Sequence, residues 1–501
     1  MPAIERGHLV IIVDKTEGVV RKQNWSLWPG RVWPARRYAA APRSVLIGAL
    51  VVGCIGAVVL GDRGVGYPIT AVAIIFAALR ASKGAPTRWQ LVGAVGVVAL
   101  SSIAAFSAAE WLVTLAVVMA VLVAGVVLSR SWTWTGVALG ALIPLLVPAR
   151  VLRWCTRGSR RIDMRGLAPG RVFRVAATTA VLFLVFAGLF AGADPQFADV
   201  LSSATPTVRL DSGFTRILLF ALVAAGTLAV SYVVANPPRF DALARPSAGS
   251  LRLWEWTVPL GSLVVLFTMF VFVQLRTLFG GQAHVRTTDG LTNAEYARQG
   301  FWQLLAVTVL TLLVLAVTIR KASRVSGSDR LALRLLLGVL CALSLVIVGS
   351  ALHRMSLYEQ QYGYTTLRVF VTAAELWLGS VFVLLMATGV SMSGRWLPRA
   401  VVGSAVLTVL ALAVISPDAY IARQNVDRFE QTGKIDTAYL SRLSADATEE
   451  LDRLDEPYRS CAIGNAVGAQ RSWNEWNLAD AKARRILTEQ PQRQCTDHAV
   501  R

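Results

Sequence analysis

Apolar residues in this chain come in runs of sixteen or more, and that arrangement excludes most folds. A run of about 20 apolar residues spans the roughly 30 Å hydrocarbon layer as a helix, because a helix satisfies its own backbone where no water can. Twelve candidate segments stand at 44–60, 64–79, 91–108, 111–129, 132–149, 172–193, 217–236, 257–275, 301–319, 335–352, 369–388 and 400–415. Composition agrees: 55% of residues are hydrophobic and only 16% charged, where soluble domains carry about a quarter charged. The fold class read from this is all-α, a polytopic membrane helix bundle with a small helical C-terminal tail.

The formal charge of +20 is distributed as a topology signal. Its arginines lie in short blocks between apolar runs, with no basic stripe on a soluble segment, so nucleic acid is not the expected partner. If the basic leader 1–43 is cytoplasmic and 132–149 does not cross, 29 Lys and Arg fall inside and 8 fall in the outer loops. That is the positive-inside bias. Segment 132–149 is short in its core and interrupted by Pro144 and Pro148, and reads as re-entrant or interfacial. Eleven crossings result, or twelve if it spans. The leader carries Trp25, Trp28 and Trp33 among arginines, which suits the inner membrane surface. Its HLVIIVD run could equally be a strand.

The organisation that follows is a leader, 1–43; N-terminal membrane segments, 44–149; a basic cytoplasmic loop, 150–171; a second membrane block, 172–415; and a soluble tail, 416–501. The tail has 12 Lys and Arg against 14 Asp and Glu. Its helix signals are Asp418 after Pro417, Gly433 as a stop, Asp436 and Ser444 as N-caps, and Pro457 as a breaker. Eleven crossings from a cytoplasmic start place it outside the cell membrane. Disulfides persist there, and a helical hairpin can bring Cys461 and Cys495 together. Two unrelated thiols remain the alternative.

Three polar patches are candidates for chemistry, all at the outer face in this topology. The first is ADPQFA with Asp194, where Asp-Pro also serves simply to end a helix. The second holds Glu295 and Arg298. Thr292 and Glu295 form a capping-box pattern, and Arg298, one turn deeper near Trp302, needs a carboxylate, a headgroup or water. The third is the break between two apolar runs, LHRMSLYEQQYGYTTLRVFVTAAE. Arg354 and Tyr358 share a helix face there, Gly363 breaks the helix, and Thr365 or Thr366 can cap the next. Arg368, Thr372 and Glu375 follow on one face, with Glu375 about 10 Å further along the helix. An acid at that depth is a functional-site candidate, or is held structurally by another span. Replacing Glu375 by Ala is expected to disturb the protein more than replacing Glu359. No P-loop, GxSxG, HExxH or paired CxxC is present, and the four histidines show no metal spacing. No metal, cofactor or enzyme class is therefore assigned.

The same patches carry a resemblance. ADPQFA, LFGG…GLTNAEYARQGFW, HRMSLYEQQYGYTTLR and PDAYIARQNVDRFEQTGKIDTAYLSRLSADA, in that order, resemble a family of bacterial multi-pass membrane proteins. That family is known as a domain of unknown function, number four-one-seven-three or its relative four-one-five-three. The match runs from about Arg171 to about Leu454. The family pattern has Tyr where Asn293 stands and Leu where Tyr364 stands. The resemblance implies an inner-membrane protein and transfers no activity. Three functions stay open: a scaffold or sensor binding an envelope partner through the tail, a transporter using Glu375 and Arg368, and an enzyme acting on a lipid-linked substrate with outer-face carboxylates.

Overall fold

The computed structural model describes residues 32–33, 40–82, 84–159, 213–244, 251–279, 293–322, 326–391, 394–464, 472–493 and 495, with backbone alone at 275–279, 293–300 and 390–391. Among them the structure is helical, apart from one isolated bridge between Leu251 and Ala322. The apolar helices are α1 (Arg43–Val59), α2 (Gly66–Ala81), α3 (Arg88–Phe106) and α4 (Glu110–Ser129), then α8 (Gly213–Ala235), α9 (Leu253–Phe279) and α10 (Asn293–Lys321), then α11 (Gly327–Tyr362), α12 (Thr366–Ser391) and α13 (Leu397–Ile415). Eight of these have the length and composition to cross a membrane, and α1 and α2 are shorter apolar helices. The candidate span 172–193 and the HLVIIVD run lie outside the described residues.

Segment 132–149 does not form one helix. It breaks into α5 (Trp134–Ala141), α6 (Ile143–Leu146) and the start of α7 (Pro148–Ser159). The prolines explain the breaks. Pro144 and Pro148 each stand at the beginning of a new helix, the place where a missing N–H costs nothing. Eight residues of α5 rise only about 12 Å, well short of a bilayer.

The chain divides into two compact units, 1–58 with 72–94 and 124–244, and 59–71 with 95–123 and 245–501. In the first, Val147, Trp154, Tyr232, Val233 and Phe240 form a core. Trp33 of the leader joins it, with its indole N–H donating to the Asn236 carbonyl at 2.9 Å and its ring stacked under Arg150. Thr133 caps α5, its Oγ1 accepting from the Gly136 N–H at 3.1 Å and donating to Asp241 at 2.7 Å, and Asp241 also accepts from the Thr133 and Trp132 N–H groups. Arg216, near the start of α8, donates to the last carbonyls of α1, Ala57 and Val58, where helix ends lack acceptors' partners and carry negative partial charge. Burial pushes the Cys155 thiol up to about 11, so it stays protonated at neutral pH.

In the second unit, α11 packs between α9, α10 and α12, and α12 against α13. The outward faces are apolar: Val258, Val265, Met269 and Phe272 on α9 recur at helical spacing and are all more than half exposed. Such stripes are covered by lipid in a membrane protein. The 36 residues of α11 rise about 54 Å, so its ends project beyond the hydrocarbon. Ser326 and Asp329 form a reciprocal capping box at its start.

The tail opens with Ser416, held at φ +53°, and turns into α14 (Pro417–Thr432). Then come α15 (Thr437–Leu440), α16 (Thr448–Leu451), α17 (Tyr458–Ala462) and α18 (Leu478–Glu489). Gly433 ends α14 and the Asp436 carboxylate caps α15, as their residue types direct. Ser444 stands at an N-cap position without a side-chain cap bond. The tail does not build a core of its own. Ile421, Ala422, Leu440, Ala447 and Ala462 share one cluster with Leu100, Ile103, Leu112 and Ala116 of the membrane helices.

Candidate functional site

Two polar assemblies stand out in the second unit, one inside the helix bundle and one where the tail meets it. Inside the bundle, the candidate residues separate into three contact sets. Arg354 on α11 donates to Gln274 Oε1 of α9 at 2.9 Å, and Ser350 Oγ reaches the same oxygen at 3.3 Å. Arg368 on α12 lies over the Tyr358 ring, 4.2 Å from its centroid, and donates to the Gly363 carbonyl. Glu375 is fully buried; its Oε1 lies 3.2 Å from Thr308 Oγ1 of α10, while Oε2 has no hydrogen-bond partner. Thr372 Oγ1, one turn before it, is also buried and unpaired. Arg368 thus turns away from Glu375, because the aromatic face and the helix-end carbonyl are nearer partners.

Asp194 lies outside the described residues. Glu295 and Arg298 lie on α10 in the stretch described by backbone alone. Glu359 departs from expectation. It sits in a polar run, yet it is only 7% exposed against 0% for Glu375, so both acids are interior. The pocket of about 400 Å³ formed by Ser129, Arg130, Pro237, Arg239 and Asp241 belongs to the first unit and includes none of the candidates.

The break at Gly363 is gripped by the tail. Gly363 has φ +83° and ψ 169°, and a Cβ there would stand 2.6 Å from Asn425 Oδ1. Asn425 of α14 accepts from the Tyr364 N–H at 3.1 Å and donates to the Tyr364 carbonyl at 3.0 Å. Arg428, one turn on, donates to the Gln360 and Gln361 carbonyls at 3.1 and 2.8 Å, which α11 leaves unpaired at its end. The Tyr439 hydroxyl accepts from the Thr366 N–H at 2.8 Å. Burial, with Tyr420 and Glu359 nearby, pushes the Tyr364 phenol up to about 12. Gly363→Ala is expected to cost about 1–3 kcal/mol, since that backbone region is essentially restricted to glycine. A lower melting temperature of the purified variant, against no change for Gly394→Ala, checks this.

The larger grip is made mainly by residues that are not singled out in the sequence. Asp446 receives the Ala108 N–H at 2.7 Å, the Ala109 N–H at 3.1 Å and the Ser107 hydroxyl at 3.0 Å. Its carboxylate thus sits at the start of α4, where a helix presents its free N–H groups. Burial pushes that carboxyl up, opposed by the Ala108 N–H and the Ser444 and Ser107 hydroxyls. Asn477, fully buried, caps α18 with its oxygen and donates to the Ala104 and Ser107 carbonyls at 2.9 and 2.8 Å. Arg63 pairs in a fork with Asp480 at 3.1 and 3.2 Å and donates to the Ala108 carbonyl; both charged residues are under 10% exposed. Asp418 links the indole N–H of Trp111 to the Ser444 N–H. The loops 60–66, 107–109 and 363–365 therefore all meet the tail.

Cys461 and Cys495 form a disulfide, with Cα atoms 4.8 Å apart. It ties α17 to the segment after α18, where Arg459 also pairs with Asp452 at 2.7 Å and donates to the Gln490 carbonyl at 2.9 Å. Asn425 and Arg428 are not singled out in the sequence, although both lie within the family-like tail run that begins at Pro417. Asp446 lies in the same run, in its closing SADA, while Arg63, Asn477 and Asp480 carry no such signal.

No curated protein and no solved structure matches the chain. A family model described as Domain of unknown function (DUF4153) matches residues 94–454, beginning well before the sequence motifs do and ending with them. Of the two related families that those motifs resemble, this integral membrane protein belongs to DUF4153.

Proposed function

We propose that this protein is a cell-membrane sensor or scaffold, whose extracytoplasmic tail engages an envelope partner and transmits that engagement to the helix bundle. The observation that carries the reading is the rigid seating of the tail. Asp446 and the Arg63–Asp480 pair join it to the helix ends through hydrogen bonds of charged groups, the strong class, and the buried Asn477 amide adds neutral bonds to the Ala104 and Ser107 carbonyls. A tail acting as a loose tether needs none of them.

The sidedness belongs to the same reading. Three separate loops meet the tail, so they share its face of the membrane. The Cys461–Cys495 disulfide favours the oxidising side. Taking 132–149 as a segment that does not cross, the positive-inside bias gives a cytoplasmic N-terminus and eleven crossings. Trp473 and Trp476, 66% and 43% exposed, suit the headgroup layer beside those loops. The outward surface of α14 and the turn after α16 carries Arg453 with Asp427 and Glu430. Such exposed pairs stabilise little and are available to a charged partner.

Photo-crosslinking in cells tests this. A crosslinker at the exposed positions Arg442, Glu449 or Arg485 is expected to give one discrete protein adduct, weakened by Asp446→Ala. Adducts with lipid alone, or none at any of the three, would contradict the reading.

A further inference from the structure

The Thr308 hydroxyl has one proton and two acceptors within reach. Its Oγ1 lies 3.0 Å from the Leu304 carbonyl and 3.2 Å from Glu375 Oε1. A carbonyl oxygen can only accept. If the proton goes to Leu304, the nearer of the two, Thr308 meets Glu375 with a lone pair. That contact is then a hydrogen bond only if the carboxyl supplies a proton of its own.

The surroundings point the same way. Glu375 is fully buried and its Oε2 has no partner. No ion pair joins it to any described residue. Arg354 on α11 turns to Gln274, and Arg368 on α12 turns to the Tyr358 ring. Arg320 and Arg298 stand about 18 and 15 Å along α10 from Thr308 at 1.5 Å per residue, and Arg399 sits at the far end of α13. An anion here would have one neutral donor at most and no counter-charge, whereas a neutral acid leaves only a carbonyl oxygen unpaired, a much smaller penalty.

We propose that Glu375 and Thr308 form an intramembrane proton-binding site, in which the protonated Glu375 carboxyl donates to Thr308 Oγ1 and Thr308 donates to the Leu304 carbonyl. Binding consumes one proton and release returns it, with no other bond changed. Release leaves an anion between α10 and α12, so it requires that contact to admit water. Proton exchange is thereby tied to opening between these two helices. This goes beyond the tail-binding reading and does not depend on it.

The test uses full-length protein in native membranes and N,N′-dicyclohexylcarbodiimide, a hydrophobic reagent that adds to protonated carboxyls in apolar surroundings. Peptide mass analysis is expected to find the adduct on Glu375 and not on the exposed Glu430, with labelling that declines as pH rises. Glu375→Gln, whose amide can donate to Thr308 as the acid does, is expected to melt at the wild-type temperature in acid. Absence of Glu375 labelling at every pH would overturn the proposal, and this holds whether or not the variant folds. Protection of Glu375 by sodium ions at fixed pH would overturn the proton as the ligand and assign a cation instead.

Discussion

Arg63→Ala is expected to destabilise the docked tail by about 3–5 kcal/mol, the range for removing one partner of a buried ion pair. The loss is twofold. Asp480, 5% exposed, keeps a charge with its fork partner gone, and the Ala108 carbonyl loses its donor. Arg63→Lys is expected to fall between wild type and Ala, since an ammonium keeps the charge without the two-pronged geometry. Arg485→Ala, which removes an exposed pair with Glu489, is expected to change stability by no more than about 0.5 kcal/mol. Thermal melting of the three purified variants checks the order, and limited proteolysis reports whether the tail is what loosens. Equal melting of the Arg63→Ala and Arg485→Ala proteins would remove the pair from the account.

The second large effect is expected at the disulfide. Cys461 and Cys495 are 34 positions apart, and closing a loop of that size restricts the unfolded chain by about 3–4 kcal/mol in the chain-entropy model. The tail depends on it because its apolar core is shared with the membrane helices, and the bridge ties the segment after α18 back to α17. Cys461→Ser with Cys495→Ser is expected to lower the melting temperature and expose the tail beyond Leu454 to protease. Reductant is expected to reproduce this in the wild-type protein and to do nothing further to the double variant. Protection of the tail in both cases would show that the bridge does not hold it.

Much of this architecture is legible in the sequence because it rests on local quantities. Apolar run length gives the membrane helices, and Pro144 and Pro148 mark the segment that breaks into short helices. Gly363 marks the break between α11 and α12, and the depth of Glu375 past Arg368 marks its burial. The tail seating is not legible in this way. Asp446 and Ser107 are 339 positions apart, Arg63 and Asp480 are 417 apart, and nothing in a short polar run names its partner. Glu359 shows the same limit from the other side. Its neighbours Gln360 and Gln361 make the run look solvated, but the docked α14 covers that helix end through Arg428. Among the candidates whose side chains are described, Arg354, Arg368 with Tyr358, and Glu375 make separate contacts for a similar reason. Spacing places Arg368 and Glu375 on one face, while the Tyr358 ring and Thr308, on other helices, decide where each side chain turns.

Sidedness is the point on which the reading of the tail turns, and cysteine accessibility in intact cells measures it. With Cys54, Cys155 and Cys341 replaced, Glu449→Cys on the exposed surface of the tail is expected to react with a membrane-impermeant maleimide in intact cells. Arg157→Cys, exposed on α7, is expected to react only after the membrane is permeabilised. Labelling of Arg157→Cys in intact cells, with Glu449→Cys silent until permeabilisation, would contradict the extracytoplasmic tail.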